Sequence, residues 1–364
     1  MKMMKQNYSS PMTSLVLTDS SQLTADSFEK LPDQIMYPYA EPYDLRKHLC
    51  FVLIKTTTPY PVVSLSEQEK YFLDTKTNKR LEFPSLHEPW SVHLSVIIPA
   101  FDEETRLPPM LDECLEYLEG RKSGFKYEVI VVSDGSRDAT VEVARKYTSK
   151  YGADVVRVLE LTTNRGKGGA VRLGMLNARG AVVLFADADG ATKFSDLSKL
   201  ETSLKDLLQA NNKVLLSTED YLSKPEVVAN KLAIVCGSRA HLEDEAIASR
   251  SVFRTFLMYG FHFLVWVFAV QGLRDTQCGF KLLTRQAALI CFSSMHVERA
   301  FDVEMLYIAQ QFEIPIEEVA VNWTEIEGSK VVPIWSWLQM GGDLFLIWLR
   351  YRIGAWKLLR IKGN

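Results

Sequence analysis

From Leu94 onward the chain alternates between two kinds of hydrophobic pattern. His93-Leu-Ser-Val-Ile-Ile-Pro99 is a short, β-branched run ended by proline, which predicts a buried strand. Leu107, Met110, Leu111, Cys114, Leu115 and Leu118 then recur at helical spacing, and Gly120 or Gly124 can stop that helix. The alternation repeats, with strands over Tyr127 to Val132, Val155 to Leu161 and Val182 to Ala186. The helices between them run from Asp138 to Tyr151 and from Gly168 to Ala178. Short buried strands separated by helices predict an α/β fold with a mostly parallel central sheet. Leu232 to Cys236 adds a further strand, closed by Gly237-Ser238-Arg239.

The flanks read differently. Residues 1 to about 90 are rich in Ser, Thr, Pro and Tyr with weak periodicity, so 1–90 is expected to be poorly structured and the folded domain to span 91–330. No apolar core follows the basic Met1-Lys-Met-Met-Lys5, so neither a cleaved signal nor an anchor helix is expected in that stretch. Within 254–272, Phe256 to Val270 is apolar without Asp, Glu, Lys or Arg, yet short for a membrane span of about 20 residues. It fits either a buried core helix or a helix lying in a membrane surface. The last segment, 331–364, sets Trp335, Trp337, Phe345 and Trp348 beside Arg350, Arg352 and Lys357. That pattern suits an amphipathic helix, packed on the domain or resting on anionic lipid.

Composition narrows the function classes. The chain has 364 residues, 47% of them apolar, and a formal net charge of −3, which leaves no concentrated basic surface for nucleic acid. Five unpatterned cysteines read as buried free thiols in a reducing compartment. Asn322-Trp-Thr fits a glycosylation sequon but falls in a predicted strand, where modification is not expected.

Polar residues gather at the strand ends. After the four strands come Asp102-Glu103, Asp134-Gly-Ser136, Asn164-Arg-Gly-Lys-Gly-Gly169 and Asp187-Ala-Asp-Gly190. Ligands of an open parallel sheet bind outside the carboxyl ends of its strands, so these four segments predict one site. Two carboxylates at i and i+2 offer hard oxygens to Mg²⁺ or Mn²⁺, which commonly also takes phosphate oxygens. The glycine loop opens a helix whose amides favour an anion, with Arg165 and Lys167 alongside. It lacks the spacing of an ATPase phosphate loop, and no G-x-G-x-x-G follows the first strand. The parts describe a metal-bound diphosphate leaving group, whose growing charge a cation neutralises.

These segments resemble family 2 glycosyltransferases of the GT-A, Rossmann-like fold. Val-Ile-Ile-Pro-Ala-Phe-Asp-Glu-Glu104 is similar to their opening strand, Ser133-Asp-Gly-Ser-Arg-Asp138 to their nucleotide-binding element, and Asp187-Ala-Asp189 to their D-x-D. Longer runs, including Arg274-Asp-Thr-Gln-Cys-Gly-Phe-Lys281 and Asn322 to Lys330, resemble the members that glucosylate dolichyl phosphate. The likeness covers roughly residues 65 to 355.

The resemblance implies transfer of glucose, with inversion, from UDP-glucose to dolichyl phosphate at the cytosolic face of the endoplasmic reticulum membrane, for N-glycan precursor assembly. Pro99, Phe101 and Glu103 with Asp134 would hold the nucleoside, and Arg165 and Lys167 the diphosphate. Asp187 and Asp189 would hold the metal, and Arg239 with Arg254 (or Arg250) the acceptor phosphate. Asp189 and Asp275 are the candidates for a base. Two other readings stand beside this one: a GDP-mannose-using dolichyl-phosphate transferase, and a catalytically weak, membrane-associated nucleotide-binding protein. The chain departs from the family at Asp102, usually Asn, and at Ser133, usually Asp. It also lacks a Trp after Arg299, and one residue lost from a helix there would turn everything beyond by about 100°, displacing Asp302 and Glu304.

Overall fold

The computed structural model describes residues 65–212, 225–242, 272–296, 300–326 and 333–358, with a few isolated positions before 65. Seven strands form the central sheet in the order β5-β4-β3-β6-β8-β7-β9. They are β3 (Val92–Ala100), β4 (Tyr127–Ser133), β5 (Val156–Glu160), β6 (Gly180–Ala186), β7 (Ile234–Ser238), β8 (Phe280–Thr284) and β9 (Ile316–Ala320). The first four run parallel to one another. β8 runs antiparallel to both β6 and β7, and β9 is parallel to β7. The sheet is thus mostly parallel, with one reversed strand.

Helices cover both faces, which is why the strands read as continuous apolar runs. Leu94, Val96 and Ile98 of β3 face one core cluster, with Leu107, Leu111 and Leu115 of α1 (Leu107–Glu119). Ile97 points the other way, into a cluster with Ala170 and Val171 of α3 (Gly166–Leu176). α3 lies very close to the sheet because residue 174 is glycine: a Cβ there would sit 2.4 Å from Ile97 Cγ2 and 2.8 Å from Val132 Cγ2. That approach sets the helix start beside the strand ends. Among the described residues the remaining helices are α2 (Thr140–Tyr151), α4 (Leu197–Asn212), α5 (Pro225–Ala229), α6 (Arg285–Ser294), α7 (Phe301–Gln311) and α8 (Pro333–Arg352).

The opposite end of the sheet is held by charge. Glu128 is fully buried and accepts from Ser95 Oγ at 2.5 Å and from Arg179 N at 2.7 Å and Nε at 2.9 Å. Arg157 stands 3.1 Å away on the same carboxylate.

The folded unit begins earlier than the expected boundary at 91. A 3-10 turn (Glu67–Lys70) leads into a hairpin of β1 (Tyr71–Asp74) and β2 (Lys79–Glu82), and Phe72, Phe83 and Leu86 are buried in the core. Leu86 N donates to Leu176 O at 2.7 Å. The few anchors are too widely spaced to produce a periodic pattern, so the sequence hides them.

At the other end, α8 buries Leu344 and Ile347, and Tyr351 Oη donates to Glu304 at 2.9 Å. Trp356 stacks on His296 with ring centres 4.3 Å apart. This face of the expected amphipathic helix packs on the domain, while Phe345 stays 42% exposed. Among the described residues no helix is long and apolar enough to cross a membrane. The apolar segment 256–270, with Arg250 and Arg254, lies outside the described residues.

Candidate active site

The chain runs β3, β4, β5 toward one edge and then returns to place β6 on the other side of β3. That reversal opens a crevice at the carboxyl ends of β3 and β6. A cavity of about 680 Å³ occupies it. Pro99, Phe101 and Glu103 line it from the end of β3, and Asp134 from the end of β4. Lys167 enters from the start of α3, and Asp187 and Asp189 from the turn after β6. All four strand-end segments therefore converge on one cavity, as the sequence pattern requires.

Asp187 is the centre of this arrangement. Lys167 Nζ lies 2.6 Å from its Oδ1. Desolvation in the crevice works against the Lys167 ammonium, though 42% of its side chain is exposed, and Asp187, Asp302 and Asp189 outweigh it and raise its pKa above the ordinary lysine value. Asp189 turns one oxygen back onto Ala191 N at 3.0 Å, fixing the turn that carries both acids. On the far side, Gly279 gives its carbonyl to Asp187 N at 3.1 Å. A Cβ on Gly279 would come within 2.1 Å of Asp187 Oδ2, so only glycine leaves room for the carboxylate. β8 brings this residue here because an antiparallel strand offers its amino end where its parallel neighbours offer their carboxyl ends.

The donor chemistry fits a hard divalent cation. Two carboxylates converge, and a cationic ammonium already stands against one of them. Among the described residues no group of three or more His, Cys, Asp or Glu side chains is placed to hold a metal. Asp187 and Asp189 are thus the carboxylates that could hold such an ion, with oxygens from outside the protein needed to complete a shell of the kind usual for Mg²⁺.

Several predicted positions take other partners. The Arg165 guanidinium turns away from the cavity to a buried Glu69, at 2.6 Å, while its backbone N donates to Asp134 Oδ1 at 2.7 Å. Arg165 is therefore not a diphosphate ligand in this conformation. Its long side chain reaches a carboxylate that the sequence pattern gave no reason to place there. The Glu103 carboxylate is clasped by Arg106 Nε at 2.7 Å and Nη2 at 2.5 Å. Arg239 binds Asp275 through Nε at 2.8 Å and Nη2 at 3.0 Å, and its guanidinium lies 5.5 Å from the ring centre of Trp323, which lines the cavity. Asp275 is an unsuitable base: burial would raise its pKa, but Arg239 overrides this and holds it below the usual carboxylate value. Asp102 adopts a left-handed backbone (φ 53°), a conformation that Asp and Asn tolerate better than most residues, and its Oδ1 accepts from Arg137 N at 2.8 Å. Ser133 Oγ donates to Ser136 Oγ at 3.0 Å.

Asp302 and Glu304, both in α7, have firm partners on other elements. Lys281, fully buried, donates to Asp302 Oδ1 at 2.5 Å and to Cys278 O at 2.6 Å. Glu304 accepts from His296 N at 2.8 Å. The expected displacement does not leave either acid stranded. Arg106, Trp323 and Gly279 were not singled out from the sequence. Arg106 was signalled only by its i,i+3 spacing from Glu103.

The glycosyl transferase family 2 model matches residues 95–211. Dolichyl-phosphate beta-glucosyltransferase of Drosophila melanogaster is 56% identical over 333 residues, covering 86% of this chain and 97% of that protein. Its counterpart in Homo sapiens is 57% identical over 314 residues, covering 85% and 91%. In Mus musculus the figures are 58% over 307 residues, 83% and 89%. The α/β architecture is the GT-A type expected of such proteins, and the chain belongs to the dolichyl-phosphate beta-glucosyltransferases within glycosyl transferase family 2.

Proposed function

We propose that the chain transfers glucose from UDP-glucose to dolichyl phosphate, giving dolichyl β-D-glucosyl phosphate. The observation that carries this reading is the convergence of Asp187, Asp189 and Lys167 in one strand-end cavity with Asp134. An acceptor with a lipid tail supports work at a membrane surface, and the proposed site of action is the cytosolic face of the endoplasmic reticulum, where the product would serve N-glycan precursor assembly.

Asp134, with Pro99 and Phe101, receives the uridine end of the donor. Asp187 and Asp189 would hold Mg²⁺ or Mn²⁺, which supplies charge neutralisation on the departing diphosphate. Lys167, at the start of α3 beside Asp187, would offer its ammonium to the diphosphate oxygens. Arg239, held flat by Asp275 beside Trp323, presents its remaining donors to the acceptor phosphate. Arginine suits this role because its planar fork matches phosphate oxygens. The nucleophile needs no strong base, since a phosphomonoester loses its second proton near pH 6. Attack opposite the leaving UDP inverts the α-linked glucose to a β product.

Donor competition tests the reading. Purified chain with a polyprenyl phosphate is expected to transfer glucose from UDP-glucose and to leave GDP-mannose unused. Transfer from GDP-mannose alone would replace this proposal with the mannosyl reading.

A further inference from the structure

Glu69 is fully buried, and no step above uses it. It lies in the 3-10 turn ahead of β1, outside the span 95–211 matched by the family model. Four donors surround it. Ser66 N reaches Oε2 at 2.8 Å, Thr162 N and Oγ1 reach Oε1 at 2.9 and 3.0 Å, and Arg165 Nη2 reaches Oε2 at 2.6 Å. Burial alone would raise the Glu69 pKa, but bonds from Thr162 and Ser66 and the Arg165 charge outweigh it and lower it. A charged carboxylate with its lone pairs filled in this way is a rigid post.

Three of the four bonds come from one short loop, and that loop is the one that fastens Asp134. Arg165 N donates to Asp134 Oδ1 at 2.7 Å, and Asn164 Nδ2 donates to Asp134 O at 2.9 Å. Gly166 N closes the loop on Asn164 Oδ1 at 3.1 Å. The same peptide strand, gripped from behind by Glu69, therefore grips the Asp134 carboxylate from in front. Two residues further on it carries Lys167.

We infer that Glu69 is a positioning residue for the nucleotide donor, fixing the loop 162–167 so that Asp134 and Lys167 meet the nucleotide already in place. The inference rests on the reading of Asp134 as the nucleoside contact. A site whose loop is ordered in advance does not spend binding free energy on ordering it, so loosening the post weakens donor affinity. Acceptor binding, served by Arg239, which makes no bond to Glu69 or to the loop 162–167 among those described, has no reason to change.

The test is calorimetric titration of UDP with Mn²⁺ into the full chain, alongside steady-state kinetics and thermal unfolding. Glu69→Gln is expected to weaken UDP binding about tenfold or more, the range found when a buried partner that orients a ligand is lost. KM for UDP-glucose should rise in step, while the acceptor KM and kcat at saturating donor stay within about twofold of the native chain. Arg165→Met should weaken UDP binding in the same direction, and the double variant should fall short of the sum of the two, because they share the Glu69–Arg165 contact. Folded Glu69→Gln that binds UDP as the native chain does overturns the inference. If Glu69→Gln does not fold, Arg165→Met decides by the same criterion. Asp134→Asn separates the two levels: native-like UDP binding there removes the reading of the site itself. Weakened binding in Asp134→Asn with native binding in Glu69→Gln removes only the role of Glu69.

Discussion

Gly279 and Asp187 stand so close that a Cβ on the first would lie 2.1 Å from Oδ2 of the second. Gly279→Ala must therefore push the Asp187 carboxylate out of the crevice, since the glycine's carbonyl also anchors Asp187 N. The expected result is loss of metal-dependent UDP binding by about tenfold or more, as for other residues that orient a ligating group. The fold should survive, overpacking of this kind costing about 1–3 kcal/mol. Titrating UDP with and without Mn²⁺ checks this, and equal metal dependence in variant and native chain would contradict it.

The pH profile follows from the Arg239–Asp275 pair. The Asp275 pKa is lowered in the folded chain, chiefly by Arg239 against the opposing effect of burial. A depressed carboxylate contributes stability that is complete above its unfolded pKa, about 3.9, and is lost as pH falls through the lower folded value. Between pH 5 and 9 Asp275 is thus constant, and Lys167 with its raised pKa stays charged. The rate is expected to rise only with the second ionisation of the acceptor phosphate, near pH 6, and then to level. A further rise of kcat above about pH 7 would point to a titrating base that this account does not contain.

Stability should be most sensitive at the sheet's other end. Glu128→Ala removes the acceptor shared by Ser95, Arg157 and Arg179 and leaves Arg157, itself buried, without its counter-charge. Breaking a buried pair from one side costs about 3–5 kcal/mol. Denaturant unfolding measures it, and a change below about 1 kcal/mol would mean that water or relaxation repairs the gap.

Strands β3 to β7 are legible in the sequence because both their faces are buried, whereas β8 and β9 are not, β9 being half-exposed. Their runs are short, β-branched and separated by helices of clear period, and the acids and glycines follow each strand directly. What local pattern did not carry depends on distance along the chain. Glu69 meets Arg165 across 96 residues, and Gly279 meets Asp187 across an antiparallel strand whose direction no local pattern encodes. Arg165 was assigned to the diphosphate because it lies in a glycine loop at a helix start. The structure gives its guanidinium to Glu69, while its backbone amide holds Asp134. The hairpin at 71–82 leaves no trace in the sequence pattern because Phe72, Phe83 and Leu86 are spread too thinly for a period to show.

The acidic turn remains the hinge of the account, and one assay addresses it directly. Native chain and Asp189→Asn are given UDP-glucose, Mn²⁺ and a polyprenyl phosphate, and the glucosylated lipid is quantified by mass spectrometry. The native chain is expected to form the β-linked product, and Asp189→Asn to fall by roughly 10²-fold or more, the scale on which loss of a charge-stabilising group acts. Undiminished product from Asp189→Asn would contradict the proposed diphosphate site.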